Sequence, residues 1–257
     1  MPVKWVIIIA PWYEHPDMTA KPTNPILAAI DTPDLDRAKA LAASLAGAVG
    51  GIKLGLEFFN AHGPDGVRAV AGDADNLFLD LKYHDIPNTV AGAVRAIVAL
   101  RPLILNVHAA GGPAMMRAAA AAASEQSAKL GVRRPRVIAV TVLTSLDDDD
   151  LAATGQRGSA ADQTLRLAAL AQSCGMDGVV CSPREVTAIR AACGADFTLV
   201  TPGIRPADTD AGDQKRVATM RVALDAGADW LVIGRAITGA PDPAEAARAI
   251  AAELGGS

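Results

Sequence analysis

Apolar runs alternate with alanine-rich stretches of helical pattern about eight times along this chain, and no other feature narrows its fold as far. A parallel barrel in which every strand is followed by a helix gives this alternation. The expected fold is therefore α/β, a single (β/α)8 TIM barrel. The predicted strands are Ile26–Asp31, Gly51–Gly55, Asn76–Lys82, Ile104–Ala109, Val137–Leu143, Gly178–Ser182, Thr198–Pro202 and Trp230–Gly234. Helical pattern covers Leu35–Ala46, Val90–Leu100, Ala114–Leu130, Ala161–Cys174, Pro183–Cys193, Met220–Ala226 and Ala244–Leu254. Asp31-Thr32-Pro33-Asp34 and Pro241-Asp242-Pro243 carry the capping and first-turn residues that start helices.

At 257 residues and 51% hydrophobic, the chain can bury one large core, and barrels of this length commonly form one domain. Residues 23–257 are assigned to the barrel and residues 1–22 to an N-terminal extension outside the fold. Trp5–Ala10 is shorter than a signal-peptide core, is cut off by Pro11, and is far too short to span a membrane. A net charge of −4 argues against a general nucleic-acid binder, and Arg133-Arg134-Pro135-Arg136, read as a solvated strand entrance, is too short to reverse that. Cys174, Cys181 and Cys193 are odd in number and form no CxxC pair, which fits reduced thiols in a cytoplasm, buried as small hydrophobes.

Polar residues collect at the predicted C-terminal ends of the strands: Asp31, Lys53, Asp80, Lys82, His108, Thr144, Ser182, Arg205 and Arg235. In such a barrel that rim carries the active site. The densest stretch is Asp80-Leu81-Lys82-Tyr83-His84-Asp85-Ile86-Pro87-Asn88-Thr89, which loads an apolar strand end with two carboxylates around one ammonium. Strand alternation puts Asp80 and Lys82 on one face and Leu79 and Leu81 on the other. Burying such charges costs several kcal/mol per ion unless partners offset it. Lys53 sits inside another strand and needs carboxylate company for the same reason. Near the C-terminus, Gly234 at a strand end lets backbone N–H groups approach an anion, and Arg235 adds a charge-assisted partner, which suggests a phosphate site.

The Asp80–Thr89 string, with its Ile-Pro-x-Thr tail, closely resembles the signature of the orotidine 5'-phosphate decarboxylase family. Asn106–Gly112, Val140–Ser145, Thr201–Pro206 and Ile233–Arg235 resemble further blocks of that family in the expected order. The resemblance implies decarboxylation of orotidine 5'-monophosphate to uridine 5'-monophosphate and CO2 in de novo pyrimidine biosynthesis, with no metal or organic cofactor. It implies that Lys82 gives the proton to ring carbon C6, with Asp80, Lys53 and Asp85 completing the catalytic set. Asp80 and Asp85 would favour the charged form of Lys82. Asp31 and Lys53 would contact the ribose hydroxyls, and Thr144, at the end of the fifth strand, the pyrimidine edge. Gln214, Arg205, Gly234 and Arg235 would hold the phosphate, with a loop over residues 203–214 closing on it. Asp85 and Thr89 would enter the site of a neighbouring subunit in a homodimer.

Other features carry less. His108 shares a strand face with Asn106, but His15, His62 and His84 have no metal-ligand spacing with it, so a hydrogen-bonded interior histidine is expected. Asp147-Asp148-Asp149-Asp150 cannot all converge on a cation, and acidic residues favour a helix start, so they read as a solvated face. Ser182 lacks a G-x-S-x-G setting. One alternative is a sugar-phosphate decarboxylase or aldolase of the same superfamily, in which an Asp-x-Lys-x-x-Asp motif works with Mg²⁺ and a Glu stands where this chain has Lys53, although Glu57 lies one helical turn further on. Another is a catalytically silent phosphate-binding barrel.

Overall fold

The computed structural model describes residues 22–72, 76–203 and 220–255. The expected extension therefore lies, but for Pro22, outside the described residues. Eight parallel strands close into a barrel in chain order: β1 (Ile26–Ile30), β2 (Gly51–Gly55), β3 (Leu77–Tyr83), β4 (Ile104–His108), β5 (Arg136–Val140), β6 (Gly178–Val180), β7 (Thr198–Thr201) and β8 (Trp230–Ile233). Around them run α1 (Leu35–Leu45), α2 (Leu56–Ala71), α3 (Pro87–Val98), α4 (Gly112–Leu130), α5 (Asp148–Ala153), α6 (Ala160–Ser173), α7 (Val186–Cys193), α8 (Met220–Asp225), α9 (Arg235–Thr238) and α10 (Pro243–Gly255). A single (β/α)8 barrel is thus the architecture, as expected.

Strand alternation divides the interior into two cores. Ile26, Ala28 and Ile30 of β1, Ile52 and Leu54 of β2, Leu77 and Leu79 of β3, and Leu105 and Val107 of β4 pack outward against the helices. Leu27, Phe78, Ile104, Ile138, Val200 and Trp230 fill the lumen. Helices cover the outer face and this plug fills the inner one, so β1 is buried along its whole length. By the same alternation Lys53, Asp80 and Asn106 point into the lumen, one layer above the plug.

The floor of the barrel is fastened by carboxylates that precede strands. Asp177 Oδ2 accepts the Val137 N–H at 2.6 Å and pairs with Arg134 at 2.7 Å. Asp229 Oδ2 accepts the Leu199 N–H and an Arg190 N–H, each at 2.8 Å. Arg136 Nη1 donates to Thr198 Oγ1 at 3.1 Å. The arginine cluster is therefore a structural clasp rather than a solvated entrance. Among the described residues Cys174, Cys181 and Cys193 are all buried and none is in a disulfide.

Three helices were absent from the predicted set. In α2 the pair Gly63-Pro64 breaks the pattern, and Gly63 is non-helical with φ 58°. Pro64 nevertheless restarts the helix, because a first-turn proline gives up no needed donor. The second is α5, where the four aspartates form caps. Asp147 accepts the Asp150 N–H and Asp150 accepts the Asp147 N–H, both at 3.1 Å, while Asp148 accepts the Ala160 N–H that opens α6 at 2.7 Å. They start helices rather than forming only a solvated face. The third, α9, is a single turn after Gly234.

Candidate active site

Four charged side chains of alternating sign meet where β1, β2 and β3 open at the mouth of the lumen. Lys53 Nζ lies 3.1 Å from Asp31 Oδ1 and 3.3 Å from Asp80 Oδ2. Lys82 Nζ donates to Asp80 Oδ1 at 2.7 Å. The register puts Gly55 against Asp80, and an added Cβ at Gly55 would stand 3.2 Å from Lys53 Nζ, so that glycine leaves room for the ammonium. Exposure grades outward, with the Lys53 side chain 9% and the Asp31 side chain 58% exposed. Water screens the outer pair far more than the inner one.

Burial alone would push the Asp80 carboxyl up. Lys53 and Lys82, together with hydrogen bonds from Lys82 and Asn106, outweigh it and hold Asp80 below the usual carboxylate range. Burial would likewise push Lys53 down, but Asp80 and Asp31 outweigh it and hold its ammonium above the ordinary lysine value. The cluster thus carries opposed charges held above the apolar plug of the lumen, an arrangement suited to a reaction that relocates negative charge.

Simple alternation does not by itself explain how Lys82 reaches Asp80. Phe78 and Leu79 pair with Ile104 and Leu105, but Tyr83 pairs with Val107, so β3 carries a bulge between Leu79 and Tyr83. Within it Lys82 has φ 48°, a conformation that costs a non-glycine residue about 1–3 kcal/mol. Such bulges re-aim side chains beside active sites. Asn106 of β4, 1% exposed, supports this one: its side-chain oxygen accepts the Lys82 backbone N–H and its amide donates to Asp80 Oδ1, both at 2.7 Å.

The model of the orotidine 5'-phosphate decarboxylase / HUMPS family matches residues 24–250. The chain belongs to that family. A protein of Rhodospirillum rubrum named orotidine 5'-phosphate decarboxylase is 58% identical over 234 residues, covering 91% of this chain and 95% of that protein. One of the same name from Moorella thermoacetica is 56% identical over 230 residues, covering 89% of this chain and 91% of that one. The crystal structure of orotidine 5'-phosphate decarboxylase from Lactobacillus acidophilus matches with a TM-score of 0.80 at 36% identity, covering 91% of this chain and 100% of that one.

Of the residues that the family resemblance singled out, Asp31, Lys53, Asp80 and Lys82 come together. Asp85 does not join them within the chain. It is exposed, and its Oδ1 accepts the Ile86 N–H at 2.6 Å, so of the two carboxylates expected around Lys82 only Asp80 pairs with it here. Thr89 is exposed in the first turn of α3. Thr144 is buried but lies four residues beyond Val140, in the loop after β5 rather than at the strand end. Gly234 caps α9 beside Ala29, and Arg235 opens that helix. Arg205 and Gln214 lie outside the described residues, with most of the expected closing loop.

Asn106, which completes this hydrogen-bonded cluster, was not among the expected site residues. Its sequence signals were a polar residue at a lumen-facing position of β4 and its place at the head of the Asn106–Gly112 block. His108 beside it is half-buried and faces the His84 ring, with centroids 5.5 Å apart, rather than being a fully interior histidine. Burial, then His84 and Lys82, push its imidazole below the ordinary histidine value despite Asp80.

Proposed function

We propose that this chain decarboxylates orotidine 5'-monophosphate to uridine 5'-monophosphate and CO2 in de novo pyrimidine biosynthesis, with Lys82 as the proton donor to C6. The buried Asp80 carboxylate clamped between the Lys53 and Lys82 ammonium groups carries the reading. As the bond from C6 to the carboxylate breaks, its electron pair stays on C6. A cation fixed beside that carbon lowers the energy of the new charge more than that of the substrate. The Lys82 ammonium then gives its proton to C6. Asp80 first holds the two cations in place, and any repulsion of the substrate carboxylate is secondary.

Asp31 and Lys53 meet the ribose hydroxyls, Thr144 the pyrimidine edge, and Gly234, Arg235, Arg205 and Gln214 the phosphate. Asp85 and Thr89 serve the site of a neighbouring subunit in a homodimer. No metal or organic cofactor takes part. With an ammonium already against Asp31 and Asp80, a Mg²⁺ on those carboxylates would meet a like charge, which speaks against the sugar-phosphate alternative. Among the described residues no helix is long and apolar enough to cross a membrane. Three buried cysteines outside any disulfide fit a cytoplasmic setting.

The test follows the absorbance lost as orotidine 5'-monophosphate is consumed, with and without a chelator. Wild type should turn over in both. Lys82→Ala should lose turnover almost completely while still binding uridine 5'-monophosphate, and comparable turnover in that variant would remove Lys82 as the acid.

A further inference from the structure

At the bulge the ladder between β3 and β4 is interrupted, and the Lys82 backbone N–H is met by the Asn106 side chain at 2.7 Å. The amide can sit only one way round, because an N–H must meet its oxygen and an ionised carboxylate must meet its NH2. Its NH2 reaches Asp80 Oδ1 at 2.7 Å, the same oxygen that receives Lys82 Nζ at 2.7 Å. A closed ring of hydrogen bonds therefore joins the Lys82 backbone, Asn106, Asp80 and the Lys82 ammonium. Asn106 itself is held by β4, where its neighbours Leu105 and Val107 are fully buried.

On the decarboxylase reading, we propose that Asn106 is a positioning residue for that reaction, holding the Lys82 backbone in its left-handed conformation and, through Asp80, aiming the ammonium at the reacting carbon. It touches no reacting atom. An asparagine serving only barrel stability would change the fraction of folded enzyme and leave the chemistry of each folded site alone.

Two variants separate these roles, with sites counted by titration with uridine 5'-monophosphate. Asn106→Ala removes both contacts. Its kcat per site should fall by about 100-fold, the scale of a small misplacement of a catalytic group, with affinity for uridine 5'-monophosphate within about twofold of wild type. Asn106→Asp keeps the shape and the acceptor for Lys82 but sets a second carboxylate against Asp80. Its kcat should also fall, and the acid limb of its pH profile should move to higher pH, as a like charge disfavours ionisation. If the alanine variant does not fold, the near-isosteric aspartate variant decides alone. A kcat per site within about twofold of wild type in a folded variant, or equal losses of kcat and product affinity, overturns the proposal. Absence of turnover in wild type would instead overturn the decarboxylase reading and this one with it.

Discussion

Asp80 sets the pH behaviour of the site. Its folded carboxyl lies below its unfolded value, so the stability it contributes is complete above about pH 4 and is lost as pH falls through the lower folded value. Lys53 is opposite in sign: its contribution is complete below about pH 10.4 and is lost as pH rises through a higher folded value. Between these limits the pair should give a flat stability plateau. Replacing Asp80 by Asn should make the acid-side slope shallower and lower stability at neutral pH by about 3–5 kcal/mol, because Lys53 keeps only the screened Asp31 of its two carboxylates. Thermal melts over a pH series check this, and parallel curves for wild type and Asp80→Asn would contradict it. That Asp80 and Lys82 share a face was legible from alternation and the cost of burying charge. The bulge was not, because a positive φ at lysine has no compositional sign as it would at glycine.

Two strand-end glycines contrast at the next scale. An added Cβ at Gly178 of β6 would overlap the Thr198 backbone carbonyl on β7, which cannot move without parting the strands. Gly178→Ala should cost about 1–3 kcal/mol, read as a lower denaturation midpoint. At Gly234 a Cβ would meet only the Ala29 Cβ, at an ordinary 3.8 Å. Gly234→Ala should leave stability within about 0.5 kcal/mol of wild type and raise KM for the phosphorylated substrate, if backbone groups there receive the anion. An unchanged KM would move the phosphate elsewhere. Elements were legible wherever burial and pattern agreed: β2 runs from Gly51 to Gly55 as predicted. They were not where an apolar run outlasts the sheet, as after Val140, since hydropathy cannot tell a buried strand from the buried loop that follows.

At the scale of the whole molecule, exposure of Asp85, Ile86 and Thr89 on one segment leaves the shared-site reading open to a direct experiment. Lys82→Ala and Asp85→Ala chains, each inactive alone, are refolded together. If Asp85 serves the partner's site, each mixed dimer holds one intact site, and recovery should approach roughly a quarter of wild-type activity. No recovery despite confirmed subunit exchange rejects the trans arrangement. The closing of the barrel also bears on how the chain is made. β1 pairs with β8, Leu27 against Val232, so the first strand waits about 200 residues for its second neighbour, roughly 10–40 s at ordinary rates of protein synthesis. A nascent chain that has emerged as far as β7 therefore presents two open edges to whatever surrounds the ribosome, and the last strand translated is the one that removes both.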